Sequence, residues 1–79
     1  MTDIQQKTID IIIPYLKELG FRNIKLYKGI NLIEIVGIAP SDYELKGNFR
    51  ICLVHFNGKI TDQVTPIDLN KIIRLKEFL

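Results

Sequence analysis

The chain holds one cysteine, one histidine, one alanine and no tryptophan among its 79 residues. Cys52 has no partner for an internal disulfide, so stability must come from packing, and the expected location is a reducing one, the cytoplasm. Zinc sites take three or four protein ligands, and Cys52 and His55 are the only soft donors, so no metal is expected. They lie three apart on a strand, where side chains point opposite ways, which also separates them as a nucleophile and base. No glycine-rich phosphate loop occurs, because Gly29, Gly37, Gly47 and Gly58 stand alone, and no cofactor is expected. The longest apolar run, Ile11 to Leu16, is far short of the roughly 20 residues of a membrane helix, and Met1 to Gln6 is polar, unlike a secretory leader. No membrane partner is expected. A net charge of +2 is too small to argue for nucleic acid by itself. Abundant isoleucine beside the single Ala39 points to an A/T-rich genome, such as that of a virus, a mobile element or a low-GC microbe.

What is present is an ordinary globular composition, 47% hydrophobic and 25% charged. The length suits one domain over residues 1–79, near the lower limit for a lone hydrophobic core, where self-association is a common supplement. Ile9, Ile12, Leu16 and Leu19 recur at helical spacing, with Thr2 or Asp3 as cap and Gly20 at the C′ position. Pro14 predicts a kink or break near Ile11 to Ile13.

Strands are predicted over Phe21 to Lys28 and Asn31 to Ile38, joined by a two-residue Gly29-Ile30 turn. That turn sets Leu26 opposite Ile33 and Lys25 opposite Glu34. A polar connection, Ala39 to Gly47, leads to a third strand, Asn48 to Phe56. Asn57-Gly58 reads as a second two-residue turn, setting Val54 opposite Thr61, Leu53 opposite Asp62 and Ile51 opposite Val64. Thr65-Pro66-Ile67-Asp68 reads as an N-cap, a proline at N1 and an acid at N3, opening a helix to about Phe78. The predicted fold is α+β: a four-stranded antiparallel meander with N- and C-terminal helices, in the order α-β-β-β-β-α.

These registers sort the side chains. One face collects Ile24, Leu26, Ile33, Ile35, Phe49, Ile51, Leu53, Ile60 and Val64, with His55 and Asp62 at its edges, and is expected to pack on the first helix. The other is mixed: Lys25, Tyr27, Leu32, Glu34, Val36, Arg50, Cys52, Val54, Phe56, Lys59, Thr61 and Gln63. An apolar patch of a few hundred Å² there calls for a cover. The second helix, a second copy of the chain or another macromolecule would each supply one.

The carboxylates Asp42 and Glu44 share a loop with no positioned acid or base, and read as solvated charges. The expected function is therefore non-enzymatic. The chain reads as a small accessory or regulatory protein of viral or mobile-element origin that binds another protein, itself included as a homodimer. Lys25, Tyr27, Leu32, Arg50, Phe56 and Lys59 are the candidate binding residues, because aromatics and Arg dominate binding hot spots. The alternative is a nucleic-acid module, since aromatics among cations on an open sheet stack bases. The element order is similar to that of double-stranded RNA-binding domains, without their Lys-rich loop before the second helix.

Asn31-Leu32-Ile33-Glu34-Ile35-Val36-Gly37 and Cys52-Leu53-Val54-His55-Phe56-Asn57-Gly58-Lys59-Ile60 resemble part of the strand region of XisI-type element-excision factors. The resemblance covers under half of the chain, which is shorter than that family's members. It does not reach the C-terminal part and assigns no functional residue.

Overall fold

The structure, a computed structural model, describes residues 1–43, 47–64 and 67–77. Helix α1 (Asp3–Glu18) leads to strands β1 (Arg22–Lys28), β2 (Leu32–Ile38), β3 (Asn48–His55) and β4 (Ile60–Thr61), and helix α2 (Leu69–Glu77) follows. The strands form one antiparallel sheet in the order β1-β2-β3-β4, the meander expected from sequence.

Thr2 starts α1 with a reciprocal cap: its hydroxyl accepts from the Gln5 N–H at 3.1 Å, and Gln5 Oε1 accepts from the Thr2 N–H at 2.9 Å. The buried Gln5 also donates from Nε2 to the Val54 carbonyl at 3.3 Å, tying the start of the helix to the sheet. Gly20 and Phe21 donate to the Lys17 and Leu16 carbonyls, each at 3.0 Å, the paired bonds of a Schellman ending. Of the kink or break expected near Ile11 to Ile13, the break is not found, and α1 runs through Pro14. Pro14 and Asp10 both lie on the exposed side, where water can serve the Asp10 carbonyl that proline leaves without a donor.

The registers differ from those read in the sequence, for identifiable reasons. In the β1–β2 hairpin, Gly29 donates to the Leu32 carbonyl at 2.8 Å, so the turn residues are Ile30 and Asn31. Asn31 takes the left-handed conformation, with φ of +62°. Lys28 therefore faces Ile33, Leu26 faces Ile35 and Lys25 faces Val36, and the expected Lys25–Glu34 pair is not formed. Moving the turn by one residue slides the register by two, so both faces of this hairpin survive. A bulge at Asn23 and Ile24 ends the regular pairing, and Arg22 then faces Ile38.

The β3–β4 turn has the larger consequence. Gly58 donates to the His55 carbonyl and His55 to the Lys59 carbonyl, both at 2.8 Å, which closes a three-residue loop over Phe56, Asn57 and Gly58. Gly58, at φ +85°, fills the left-handed position of this turn. The added residue slips the register by one: Val54 faces Ile60 and Leu53 faces Thr61. A one-residue slip exchanges the faces. Cys52 and Val54, expected on the mixed face, are fully buried on the helix side, while Leu53, expected in the core, lies opposite Glu34 and Thr61 on the other side. Between Cys52, which faces Ile35, and Arg50, which faces Val36, Ile51 is an extra bulge residue that is itself fully buried. Beyond Asp62, at φ +54°, Val64 does donate to the Ile51 carbonyl, as expected.

Thr65, Pro66 and Phe78, to which the sequence assigns the second helix's cap, first residue and end, lie outside the described residues. The described α2 starts at Leu69, and Asp68 caps it, accepting from the Lys71 N–H at 3.2 Å, rather than sitting at N3. Leu69 is buried in one cluster with Ile9, Ile12 and Leu16 of α1 and with Ile33, Ile35, Cys52, Val54 and Ile60 of the sheet. Both helices thus lie on one side, and the second helix does not cover the opposite face. The Cα envelope, 32 × 30 × 17 Å, is two layers deep. Asn70 closes the β4 edge, its Oδ1 facing the Ile60 N–H at 3.4 Å and its Nδ2 donating to the Ile60 carbonyl at 3.0 Å.

A Cβ at Gly58 would come within 2.5 Å of Ile4 Cγ2 in α1, whereas one at Gly47, also left-handed, meets nothing within 4 Å. Gly47→Ala is expected to cost roughly 1–2 kcal/mol from the backbone alone, and Gly58→Ala about 1–3 kcal/mol more from overpacking. Urea titration of both variants reads the difference. Equal losses would show that the turn does not seat on the helix.

Candidate functional site

The side of the sheet away from the helices carries Lys25 and Tyr27 from β1, Leu32, Glu34 and Val36 from β2, Arg50, Leu53 and His55 from β3, and Thr61 from β4. At its centre Arg50 Nε donates to Glu34 Oε2 at 2.6 Å and Nη1 to Asp62 Oδ2 at 3.2 Å. These bonds, the one to Glu34 foremost, raise the guanidinium pKa above its ordinary value. The cluster is exposed, so it orients side chains more than it stabilises the fold. His55 Nε2 lies 2.7 Å from Thr61 Oγ1, a cross-strand contact at one end of the face.

Beside the ion cluster runs a shallow groove of about 270 Å³, lined by Tyr27, Lys28, Leu32, Glu34, Arg50 and Leu53. Three of the candidates read from sequence, Tyr27, Leu32 and Arg50, meet here, and Tyr27 is 53% exposed. Lys25 lies on the same face, two residues further along β1. Phe56 and Lys59 do not join them. The three-residue turn takes Phe56 out of β3, leaving it 56% exposed, with its carbonyl accepting from Thr2 Oγ1 at 2.9 Å. It lines a separate groove of about 280 Å³ with Met1, Thr2, Gln5, Lys28 and Asn31 at the start of α1. Lys59 sits exposed between that turn and β4, its N–H donating to Asn57 Oδ1 at 3.1 Å.

Three residues of this face are ones the sequence places elsewhere: Leu53 in the core, and His55 and Asp62 at the core's edge, all through the assumed two-residue turn. Asn-Gly at the end of a strand suits a two-residue turn and equally the last two positions of a three-residue one. The apolar run Ile51-Cys52-Leu53-Val54 gives no alternation to choose between them.

Groups with chemical potential are occupied elsewhere. Burial pushes the Cys52 thiol up to about 12, so it stays protonated and packs as a small apolar side chain. Burial, then Asp42 and then Tyr15, raise the pKa of Tyr43, whose ring stands edge-on to Phe21 at 5.4 Å between centroids. Asp42 is exposed, and Glu44 lies outside the described residues. Among the described residues no three of His, Cys, Asp and Glu gather as a metal site would require, and no helix is long and apolar enough to cross a membrane.

Compared with protein-family models, curated proteins and solved structures, the chain matches none. The likeness to XisI-type factors thus remains one of strand segments and lends the site no function.

The observed register makes Cys52 a direct reporter. At about pH 8, reaction with a soluble aromatic disulfide is expected to be at least about a hundredfold slower in the native protein than in urea, since only exposed thiolate attacks. Similar rates in both states would put Cys52 on the open face and restore the two-residue turn.

Proposed function

We propose that this chain is a non-enzymatic accessory or regulatory protein that docks another protein on the uncovered face of its sheet. The observation that carries this reading is the setting of Tyr27, Leu32 and Leu53 around the Arg50–Glu34 pair, on a face that neither helix covers. An aromatic ring, two leucines and an oriented guanidinium make the kind of patch on which binding energy concentrates. The reduced Cys52 fits work in a reducing compartment such as the cytoplasm. The isoleucine-rich, alanine-poor composition fits a viral or mobile-element source.

A nucleic-acid module on the same face is the weaker reading. It needs Arg50 for phosphates, and Glu34 and Asp62 already neutralise it. Lys25 and, beside His55 at the far end, Lys59 remain on this face, too few for tight backbone tracking.

Three strands about 4.8 Å apart and about 23 Å long, with a fourth of only two residues, offer a footprint of roughly 360 Å², under half of the roughly 800 Å² each partner contributes to a stable interface. A complex between two copies through this face alone is therefore weak. Light scattering over a dilution series is expected to show self-association that fades by about the low micromolar range. Tyr27→Ser with Leu53→Ser should abolish it while leaving the unfolding transition two-state. If the double variant associated as the parent does, the docking surface would lie elsewhere and the proposal would fall.

A further inference from the structure

The two edges of the sheet are treated differently. At β4, the outward N–H and carbonyl of Ile60 are both met by the Asn70 amide, and the strand is only two residues long. At β1 the opposite holds. The Gly29–Leu32 bond fixes which rungs point inward: Tyr27 and Lys25 bond to β2, and the N–H and carbonyl of Leu26 and Lys28 point away from it. Phe56 donating to the Asn31 carbonyl at 2.9 Å fixes the same phase on the other side of β2. Among the described residues nothing meets the outward groups of β1. The seven-residue strand is exposed throughout except at Ile24.

We propose that the β1 edge is a strand-addition site for an extended acidic peptide segment of another protein, whose side chains continue onto the open face. The inference rests on the binding role proposed above and supplies the partner area that the face alone lacks. Charge selects the occupant. Arg22, Lys25 and Lys28 give β1 three cations, and the strand carries no carboxylate. A second copy pairing through β1 would set two such strands about 4.8 Å apart, and like charges across a ladder destabilise it. An acidic strand turns the same charges into cross-strand pairs. Such edge lysines usually serve to discourage pairing, and against an acidic strand they discriminate instead of blocking.

The pairing also dictates a pattern. An antiparallel segment opposite Lys28, Tyr27, Leu26, Lys25 and Ile24 takes an acid, any strand former, an apolar residue, an acid and an apolar residue in turn. The apolar positions meet Leu26, which is 41% exposed beside the helix layer, and Ile24. The bulge at Asn23 and Ile24 turns the strand and ends the pairing there.

The test uses the full chain, isotope-labelled, with an acetylated Ser-Glu-Thr-Val-Glu-Val-Ser peptide and its Lys-for-Glu counterpart, followed by amide shifts and hydrogen exchange. The acidic peptide is expected to protect the Leu26 and Lys28 amides. Lys25→Glu with Lys28→Glu should weaken it at least about tenfold and transfer preference to the basic peptide. Leu26→Pro removes an outward N–H while sparing the β2 ladder, so it should abolish binding in a chain that still folds. Protection confined to Leu53, Arg50 and neighbouring face residues would overturn the edge site while leaving face docking standing. Equal binding of both peptides, or the same Leu26 and Lys28 protection appearing with protein concentration alone, would also overturn it. Tyr27→Ser with Leu53→Ser reports on the face separately, so the two ideas fail independently.

Discussion

The arrangement of β3 and everything packed on it depends on the conformation of three residues, Phe56, Asn57 and Gly58. Their loop carries one residue more than the shortest hairpin, and the left-handed Gly58 absorbs it next to Ile4 and Thr8 of α1. Because strand side chains alternate with period two, that single residue determines whether Cys52 and Val54 or Leu53 and His55 face the helices. Burying the first pair brings Val54 over Ile60 and delivers the Val54 carbonyl to Gln5, which also closes the cap of α1. Turn, strand face and helix start are thus one coupled unit. The bulge at Ile51 then lets Phe49 and Ile51 share the helix side despite the change of phase.

The same coupling explains what was legible in the sequence. Element order and type followed from local signals that tertiary contacts do not contest: a cap at Thr2 or Asp3, Gly20 after the last helical turn, and strand runs separated by glycine and asparagine. The β1 and β2 faces were legible even with the turn misplaced, since a two-residue slide keeps parity. The β3 face was not. A continuous apolar run carries no phase of its own, and its phase came wholly from a turn dipeptide compatible with two loop lengths. The candidate site changed with it: Cys52 and Val54 left the mixed face, Phe56 moved to the start of α1, and Leu53, His55 and Asp62 entered.

Position of the second helix was beyond local signals altogether. Its stripe of Leu69 and Ile73 requires a partner surface, and both sides of the sheet offered one by the sequence reading. Asn70 resolves it physically. Its amide reaches both backbone groups of Ile60 only from the β4 edge, and with Leu69 turned into the α1 cluster the helix is committed to that side.

Two layers built from so short a chain leave one face of the sheet to solvent, and strand propensity alone would fill that face with β-branched and aromatic residues. Tyr27, Val36 and Thr61 are accounted for in this way. Leu32 and Leu53 are not, since leucine has no special preference for strands, and the two sit on diagonal positions of β2 and β3 with Tyr27 and Glu34 beside them. Glu34 is turned toward Arg50 rather than toward a β1 lysine, which leaves Lys25 uncompensated at the edge. Apolar surface at the centre and uncompensated cations on the β1 edge follow from a single register, and any partner that uses one meets the other within a strand's width.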